Sequence, residues 1–224
     1  MATPLHFRYL GRAAYRPTLD LQHQLAEALA ADGDAAETFL AVEHDPVFTI
    51  GRRGTGDEIL VSRERLDALG IDVVDVDRGG QVTYHGPGQL VIYPIVRIRP
   101  GHFGVSDLVR GLADSIRQVL AEEGVESRYD DENPGLWVDD RKICSVGMRI
   151  RKGVSTHGAA VNLTTDLNAF GLIVPCGLPQ SRATSLLLER GSSPPLEQMA
   201  ARVAGRFANR FDYQLRRVEA TTSA

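Results

Sequence analysis

Residues 136–163, LWVDDRKICSVGMRIRKGVSTHGAAVNL, decide the fold class of this chain. Three apolar or β-branched runs follow one another here, at 136–138, 143–150 and 156–163, and only short polar segments separate them. Asp139-Asp140-Arg141 is typical of a hairpin turn. Strands that succeed one another without a helix pair antiparallel, so the stretch predicts an α+β fold with a mixed, largely antiparallel sheet.

Helical and strand patterns flank this stretch on both sides. Apolar residues recur at helical spacing in four segments. The expected helices span 18–32, 62–70, 106–124 and the residues after Pro194-Pro195, and further strands are expected at 38–43, 71–76 and 89–96. With 224 residues, we expect one catalytic domain over 1–217 and a frayed tail over 218–224.

Composition excludes several classes of protein. The hydrophobic fraction of 43% and the charged fraction of 24% indicate a globular chain. No apolar run is long enough to span a membrane and no signal peptide begins the chain, so we expect a cytoplasmic protein with no membrane partner. A net charge of −4 argues against a nucleic-acid partner. No histidine or carboxylate spacing suggests a metal, and we expect neither a metal nor a cofactor.

Residues 78–89, RGGQVTYHGPGQ, contain four glycines and a proline and predict a tight loop without helix or regular strand. Bare backbone in such a loop can approach a ligand closely and offer amide donors. The glycine spacing matches neither a Walker motif nor a dinucleotide fingerprint. The alternative is a structural loop in which a backbone carbonyl satisfies His85.

The two cysteines differ in their surroundings. Cys176 stands between Pro175 and Gly177, where a loop would leave its thiol accessible, although a reactive thiolate also needs a nearby cation or base. Strand alternation instead places Cys144 on a face with Val146 and Met148, which predicts a core residue.

Lysine is rare in this chain, because only Lys142 and Lys152 occur among the 25 basic residues. Lysine can lose its proton in a protein and arginine cannot. Lys142 ends the core-facing row of residues 142–150, where partial desolvation makes it a candidate base; the alternative is a side chain that reaches solvent. Lys152 is expected to be a surface cation.

Residues 157–163, HGAAVNL, predict a strand with a shallow trough at Gly158-Ala159-Ala160, which suits a ligand chain or a closely packed strand. Alternation places His157 and Asn162 on opposite faces, so both can serve one pocket only if the strand is bulged.

These motifs together resemble the lipoyl(octanoyl) transferase family, also called lipoate–protein ligase B. The matching blocks are residues 43–51 (EHDPVFTIG), residues 78–89, Lys142-Ile143 with Ser145-Val146-Gly147, and Pro175-Cys176-Gly177. Their order and spacing agree with the family over roughly residues 43–185. The resemblance implies a larger mixed sheet, a smaller sheet and surrounding helices, as in biotin and lipoate protein ligases.

The resemblance also implies an acyltransferase that moves an octanoyl group from octanoyl-acyl-carrier protein to a lysine of lipoyl domains. Cys176 would carry the acyl thioester and Lys142 would favour its thiolate. The acceptors would be the lipoyl domains of 2-oxoacid dehydrogenases and the glycine cleavage H protein. The acyl site would be lined by Arg78, Gly79, Gly80, Gln81, Val82, Thr83, Tyr84, His85, Ser145, Val146, Gly147, Gly158, Ala159 and Ala160.

Three alternatives remain at this level. An ATP-dependent acyl-adenylating ligase of the same fold would not need Cys176. A thiol hydrolase would use His85 or His157 as its base and release octanoate. A non-catalytic acyl- or lipoyl-binding module would never form a covalent adduct.

Overall fold

The structure, a computed structural model, describes residues 2–32, 34–174 and 182–218. Its strands are β1 (Thr3–Ala13), β2 (Glu37–His44), β3 (Val47–Ile50), β4 (Asp72–Asp75), β5 (Val82–His85), β6 (Gln89–Ile95), β7 (Arg128–Asp130), β8 (Gly135–Val138), β9 (Arg141–Arg151), β10 (Val154–Asn162), β11 (Arg182–Ala183) and β12 (Tyr213–Arg217). Its α-helices are α1 (Tyr15–Ala31), α2 (Arg63–Leu69), α3 (Val105–Glu122), α4 (Leu186–Arg190) and α5 (Leu196–Arg210), and a 3-10 helix spans Leu167–Leu172. None of these helices is long and apolar enough to cross a membrane.

The larger sheet has the strand order β12-β1-β2-β6-β10-β9-β8-β7, and the short β11 pairs with β9. The pairs from β2 across to β7 are antiparallel. The strand β1 runs parallel to both of its neighbours, and β11 runs parallel to β9. The predicted mixed, largely antiparallel sheet is confirmed, and β8, β9 and β10 form the consecutive hairpins expected from residues 136–163.

The smaller sheet has the order β4-β3-β5 and its own apolar cluster, which includes Phe48, Leu66 and Tyr84. The strand β5 corrects the prediction for residues 78–89, because Val82–His85 is a regular strand within the segment expected to be all loop. Valine, threonine and tyrosine favour strand geometry, and that preference prevails between the flanking glycines.

Helices cover both faces of the larger sheet. The apolar stripe of α3 packs with α5 on one face, where Leu112, Ile116 and Phe207 are fully buried. On the other face, α1 covers a second cluster that includes Val91 and Tyr93. The two clusters fix the sheet from both sides, and the site lies on the α1 face beside the smaller sheet.

Local sequence signals placed several boundaries correctly. The Oγ of Ser62 accepts the Arg65 N–H at the start of α2, and Gly70 ends that helix at a φ of 66°. Asp139 takes a φ of 52° in the turn between β8 and β9. Helix α1 begins at Tyr15, three residues before the predicted start, and β1, β3, β7, β12 and α4 were not predicted. Of the expected tail, residues 219–224 lie outside the described residues.

Candidate active site

A narrow cavity lies where β9 and β10 face the segment 78–85. Strands from both sheets, α1 and the turn before β8 contribute to its wall. It is lined by Tyr15, Arg78, Gly79, Gly80, Thr83, His85, Val91, Tyr93, Pro134, Ser145, Val146, Gly147, His157, Gly158, Ala159 and Ala160.

The floor of this cavity is made of residues that have little or no side chain. A Cβ at Gly158 would lie 2.1 Å from the carbonyl oxygen of Ile92, so only glycine fits between β10 and β6 there. A Cβ at Gly147 would lie 3.0 Å from the carbonyl oxygen of Gly79, where β9 approaches the glycine-rich turn. Backbone packing therefore creates the trough expected from Gly158-Ala159-Ala160.

The buried guanidinium of Arg78 fixes the glycine-rich turn. It donates to the Thr49 carbonyl at 2.6 Å, to the Thr49 hydroxyl at 2.8 Å and to the Gln81 carbonyl at 2.8 Å. Gly80 takes a φ of 91°, a conformation that a side chain would strain. The Gly79 N–H donates to the Met148 carbonyl at 3.3 Å, which ties the turn to β9. These hydrogen bonds hold the turn in place beside the cavity.

Side chains alternate along β5, and only half of them face the cavity. Thr83 and His85 line it, whereas Val82 and Tyr84 are buried in the apolar cluster of the smaller sheet. Gln81 lines an adjoining groove instead. The prediction that this whole segment lines the acyl site is therefore wrong for Val82 and Tyr84, because a strand turns successive residues to opposite faces.

One end of the cavity is a cluster of polar rings. Tyr15 stacks on His85 with 5.8 Å between ring centroids, and a hydrogen bond joins the side chains of Tyr15 and Tyr93. The Tyr93 hydroxyl lies 2.9 Å from Nε2 of His44, whose Nδ1 donates to the Ala13 carbonyl at 3.0 Å. Burial raises the pKa of Tyr15 to about 12 and lowers the pKa of His44 to about 4. These rings are neutral at neutral pH.

His85 is held by a side chain and not by the backbone carbonyl that we considered. Its Nδ1–H donates to the Gln89 Oε1 at 2.7 Å, and the Gln89 Nε2 donates to the Asn162 Oδ1 at 2.9 Å. The Asn162 Nδ2 donates in turn to the Thr184 carbonyl at 2.9 Å. Burial, together with the neighbouring His44 ring, lowers the pKa of His85 to about 3. Burial thus keeps this imidazole neutral, and the chain of hydrogen bonds fixes its orientation.

His157 has an unusual backbone and an incomplete set of hydrogen bonds. Its φ is 55°, and its N–H donates to the Gln22 Oε1 at 2.9 Å. Its Nε2 lies 2.7 Å from the Asp77 carboxylate, which also forms an ion pair with Arg149. Burial, with the charge of Arg78, lowers the pKa of His157 to about 3. Within the described residues, its buried Nδ1 has no hydrogen-bond partner.

His23, Asp77 and His157 form a group of possible metal ligands that sequence spacing did not reveal, since distant segments supply them. Their ligand atoms lie within 4.8 Å of one another. Arg149 already pairs with the Asp77 carboxylate, so a metal cation would have to displace a guanidinium. The group fits an ion-pair network better than a metal site.

Lys142 lies beside the cavity, in an open groove that shares Gly79, Gly80, Pro134, Val146 and Gly147 with it. Its Nζ lies 3.5 Å from the Pro134 carbonyl and 4.8 Å from the centre of the Trp137 ring. No carboxylate of the described residues lies within ion-pair distance of this half-buried ammonium. The amine therefore remains available for chemistry at the mouth of the cavity.

A β-bulge separates Lys142 from the core-facing row in which we expected it. Trp137 pairs with Lys142 and Leu136 pairs with Cys144, so β9 contains one extra residue at Ile143. Ile143 and Cys144 are both buried, and Lys142 turns into the groove. Cys144 is a core residue as predicted, 1% exposed, and burial raises the pKa of its thiol to about 12.

Cys176 lies outside the described residues, so its predicted role stays a prediction. The described chain resumes in β11, where Ala183 pairs with Lys142 and the Thr184 N–H donates to the Lys142 carbonyl at 3.0 Å. The segment that contains Cys176 is therefore joined directly to the strand beside Lys142.

Sequence reasoning missed Tyr15, Tyr93 and Asp77. Tyr93 gave a usable signal, because a hydroxyl in the otherwise apolar strand β6 needs a polar partner when it is buried. Tyr15 and Asp77 gave none, since their partners come from distant parts of the chain.

Comparisons with known proteins agree on the kind of protein that this chain resembles. Residues 14–208 match the lipoyl protein ligase A/B catalytic domain. An octanoyltransferase of Chloroflexus aurantiacus is 42% identical over 210 residues, which cover 92% of this chain and 94% of that protein.

Solved structures show the same architecture. A lipoate–protein ligase A with bound ATP has a TM-score of 0.78 at 16% identity, and the match covers 99% of this chain and 90% of that one. The biotin protein ligase of Aquifex aeolicus has a TM-score of 0.51 at 14% identity, over 93% of this chain and 69% of that one. The expected likeness to lipoate and biotin ligase folds is confirmed.

Proposed function

The chain belongs to the lipoyl protein ligase A/B catalytic-domain family and catalyses octanoyl transfer in lipoate biosynthesis, and from this premise we propose that Cys176 carries the octanoyl group as a thioester. The observation that carries the proposal is the position of Lys142, whose ammonium lies at the mouth of a narrow cavity with no carboxylate partner in the described residues. A cation placed there favours a thiolate and leaves the acyl chain access to the trough.

Two displacement steps follow from this arrangement. In the first, the Cys176 thiolate attacks the donor thioester, the new C–S bond forms, and the carrier sulfur leaves. In the second, a lysine amine attacks the enzyme thioester, the C–N bond forms, and the Cys176 thiolate is released. The proton balance closes if the Lys142 ammonium gives its proton to the departing carrier sulfur, which leaves as a thiol, and neutral Lys142 then accepts the proton that the amine loses; an arginine could not do this.

Backbone amides are the candidates for stabilising the oxyanion, each worth roughly 3 kcal/mol in other enzymes. The Gly79 N–H already donates to the Met148 carbonyl, so Gly80 is the better candidate of the two adjacent glycines in the turn. The amide of Gly177, which follows Cys176 in the sequence, is a further candidate and lies outside the described residues.

The proposed donor is octanoyl-acyl-carrier protein, and the proposed acceptors are the lipoyl domains of 2-oxoacid dehydrogenases and of the glycine cleavage H protein, in the cytoplasm. An acidic chain needs a local basic surface to dock acidic partners. Arg149 is already paired with Asp77, which leaves Arg52-Arg53 and Arg151-Lys152 as the exposed candidates.

The histidines of the cavity weaken the hydrolase alternative. A general base works best when its pKa lies near the working pH. Burial lowers the pKa of both His85 and His157 to about 3, so neither is a strong base at neutral pH. The ATP-dependent alternative rests on ligases that share only the fold, at 16% identity.

Intact-protein mass spectrometry tests the proposal. The purified chain is mixed with octanoyl-acyl-carrier protein without ATP, and then a lipoyl domain is added. We expect an octanoyl adduct that maps to Cys176, disappears on addition of the domain, and is absent in Cys176→Ala. Transfer that requires octanoate and ATP, with no adduct on the wild-type chain, would contradict the proposal, and release of free octanoate would favour a hydrolase.

A further inference from the structure

The far end of the cavity contains a buried hydrogen-bond acceptor for which the proposed reaction has no use. Lys142 lines the adjoining groove and not the cavity itself, and five residues line both. Tyr15, His85, Tyr93 and His157 line the cavity and not that groove. If the acyl carbonyl reacts near Lys142, the end of the acyl chain points towards these polar rings.

The protonation state of His157 follows from its partners. A carboxylate only accepts hydrogen bonds, so Nε2 carries the proton that is donated to Asp77 at 2.7 Å. The ring is neutral because burial lowers its pKa to about 3, and Nδ1 therefore presents a lone pair. His157 is 1% exposed, and among the described residues nothing donates to this atom.

A second unsatisfied atom lies on the residue that holds His157 in place. Gln22 is fully buried, and its Oε1 accepts the His157 N–H. Its Nε2 donor has no partner within the described residues. Buried polar atoms are rarely left unpaired, because each costs free energy.

We propose that His157 Nδ1 accepts a hydrogen bond from a hydroxyl near the end of the acyl chain, so that the site takes ω-hydroxylated medium-chain acyl groups as well as plain ones. The proposal rests on the proposed function, since it assumes that the acyl chain occupies this cavity with its carbonyl near Lys142. A purely apolar end would instead disfavour a terminal hydroxyl by about 100-fold.

The test compares two donors of equal length, 8-hydroxyoctanoyl and nonanoyl groups on acyl carrier protein, by kcat/KM for transfer to a lipoyl domain. We expect the wild-type chain to use the two donors within about threefold. His157→Phe should lower kcat/KM for the hydroxylated donor by about 10-fold or more relative to kcat/KM for the nonanoyl donor. His23→Gln is the matched control, because His23 lies near Asp77 but does not line the cavity, and it should leave the ratio unchanged.

Calorimetry of free 8-hydroxyoctanoate and nonanoate with the wild-type chain gives an answer even if His157→Phe does not fold. Comparable affinities support the proposal. A nonanoate preference of about 10-fold or more, or a donor ratio that His157→Phe leaves unchanged, would overturn it. Transfer from octanoyl-acyl-carrier protein is measured in parallel. Failure of this plain transfer would contradict the proposed function, while the comparison of the two binding affinities would still test the proposal about His157.

Discussion

The two ends of the cavity are built in different ways. At the far end, the rings of Tyr93, His44 and His85 are held by hydrogen bonds to one another or to neighbouring side chains and backbone. At the mouth, the Lys142 ammonium has two polar or ring partners among the described residues, the Pro134 carbonyl and the Trp137 ring. Hydrogen bonds thus fix the far end, whereas the mouth stays open, which is the arrangement that the proposed reaction needs if two different proteins are to reach Lys142 in turn.

Replacing Lys142 by arginine should have the largest effect on activity, because it keeps the positive charge at the mouth of the cavity and removes the proton acceptor. We expect octanoyl transfer to fall about 1000-fold, within the range for loss of a general base. Formation of the Cys176 thioester should be less affected, since the thiolate still has a cation nearby. Rapid-quench assays of the two half-reactions measure both rates.

Lys152→Arg is the matched control, because Lys152 is an exposed lysine on the turn after β9 and lines neither cavity nor the Lys142 groove. It should transfer octanoyl at the wild-type rate. Normal transfer by Lys142→Arg would show that the mouth does not supply the base.

Acid should loosen the far end before it affects the mouth. In the native state the pKa of His44 is lowered from 6.5 to about 4. Below pH 6.5 the unfolded chain therefore binds a proton that the native state excludes, and stability decreases as the pH falls towards 4. The contribution of His44 to this loss in the free energy of unfolding should be about 2 kcal/mol at pH 5. Urea unfolding at several pH values measures it.

His44→Gln should weaken the pH dependence of the free energy of unfolding between pH 6.5 and 5 without abolishing it, because His85 and His157, whose pKa values are lowered to about 3, keep their contributions. His102→Gln, at an exposed position, should leave that dependence as in the wild-type chain. Identical slopes for all three proteins would mean that the buried ring of His44 takes up its proton in the native state.

Gly158→Ala tests the floor between the two ends. The added Cβ would lie 2.1 Å from the Ile92 carbonyl oxygen, and overpacking of this kind costs about 1–3 kcal/mol. Gly205→Ala is the control, because no heavy atom outside its own helix lies within 4 Å of the new Cβ in α5. That change should stabilise the chain by about 0.5–1 kcal/mol. Equal unfolding midpoints would show that the trough is not set by packing against β6.

The sequence predicted the parts of the fold that depend on neighbours along the chain. The hairpins from β8 to β10, the Ser62 cap of α2 and the turn at Asp139 are all local features, and each is present. The strand β1 was missed because its partners, β2 and β12, come from distant residues and its pattern is not plainly apolar.

The candidate site shows the same division. The floor of the cavity could be predicted from its glycines and alanines, because their small size is visible in the sequence. The bulge at Ile143, which turns Lys142 into the groove, depends on the pairing with β8 and has no local signal. The partners of His157 come from α1 and from the residue before Arg78, so only the folded chain brings Gln22 and Asp77 to it.

The burial of Cys144 has a consequence for chemical labelling. Only thiolates react readily with alkylating and oxidising reagents, and a thiol that is 1% exposed, with its pKa raised to about 12, supplies almost none at neutral pH. The sequence contains only two cysteines. A single mild alkylation of the native chain therefore acts as a probe of Cys176 alone, and the protein needs no engineered removal of its other thiol before a fluorophore or an electrophilic inhibitor is attached.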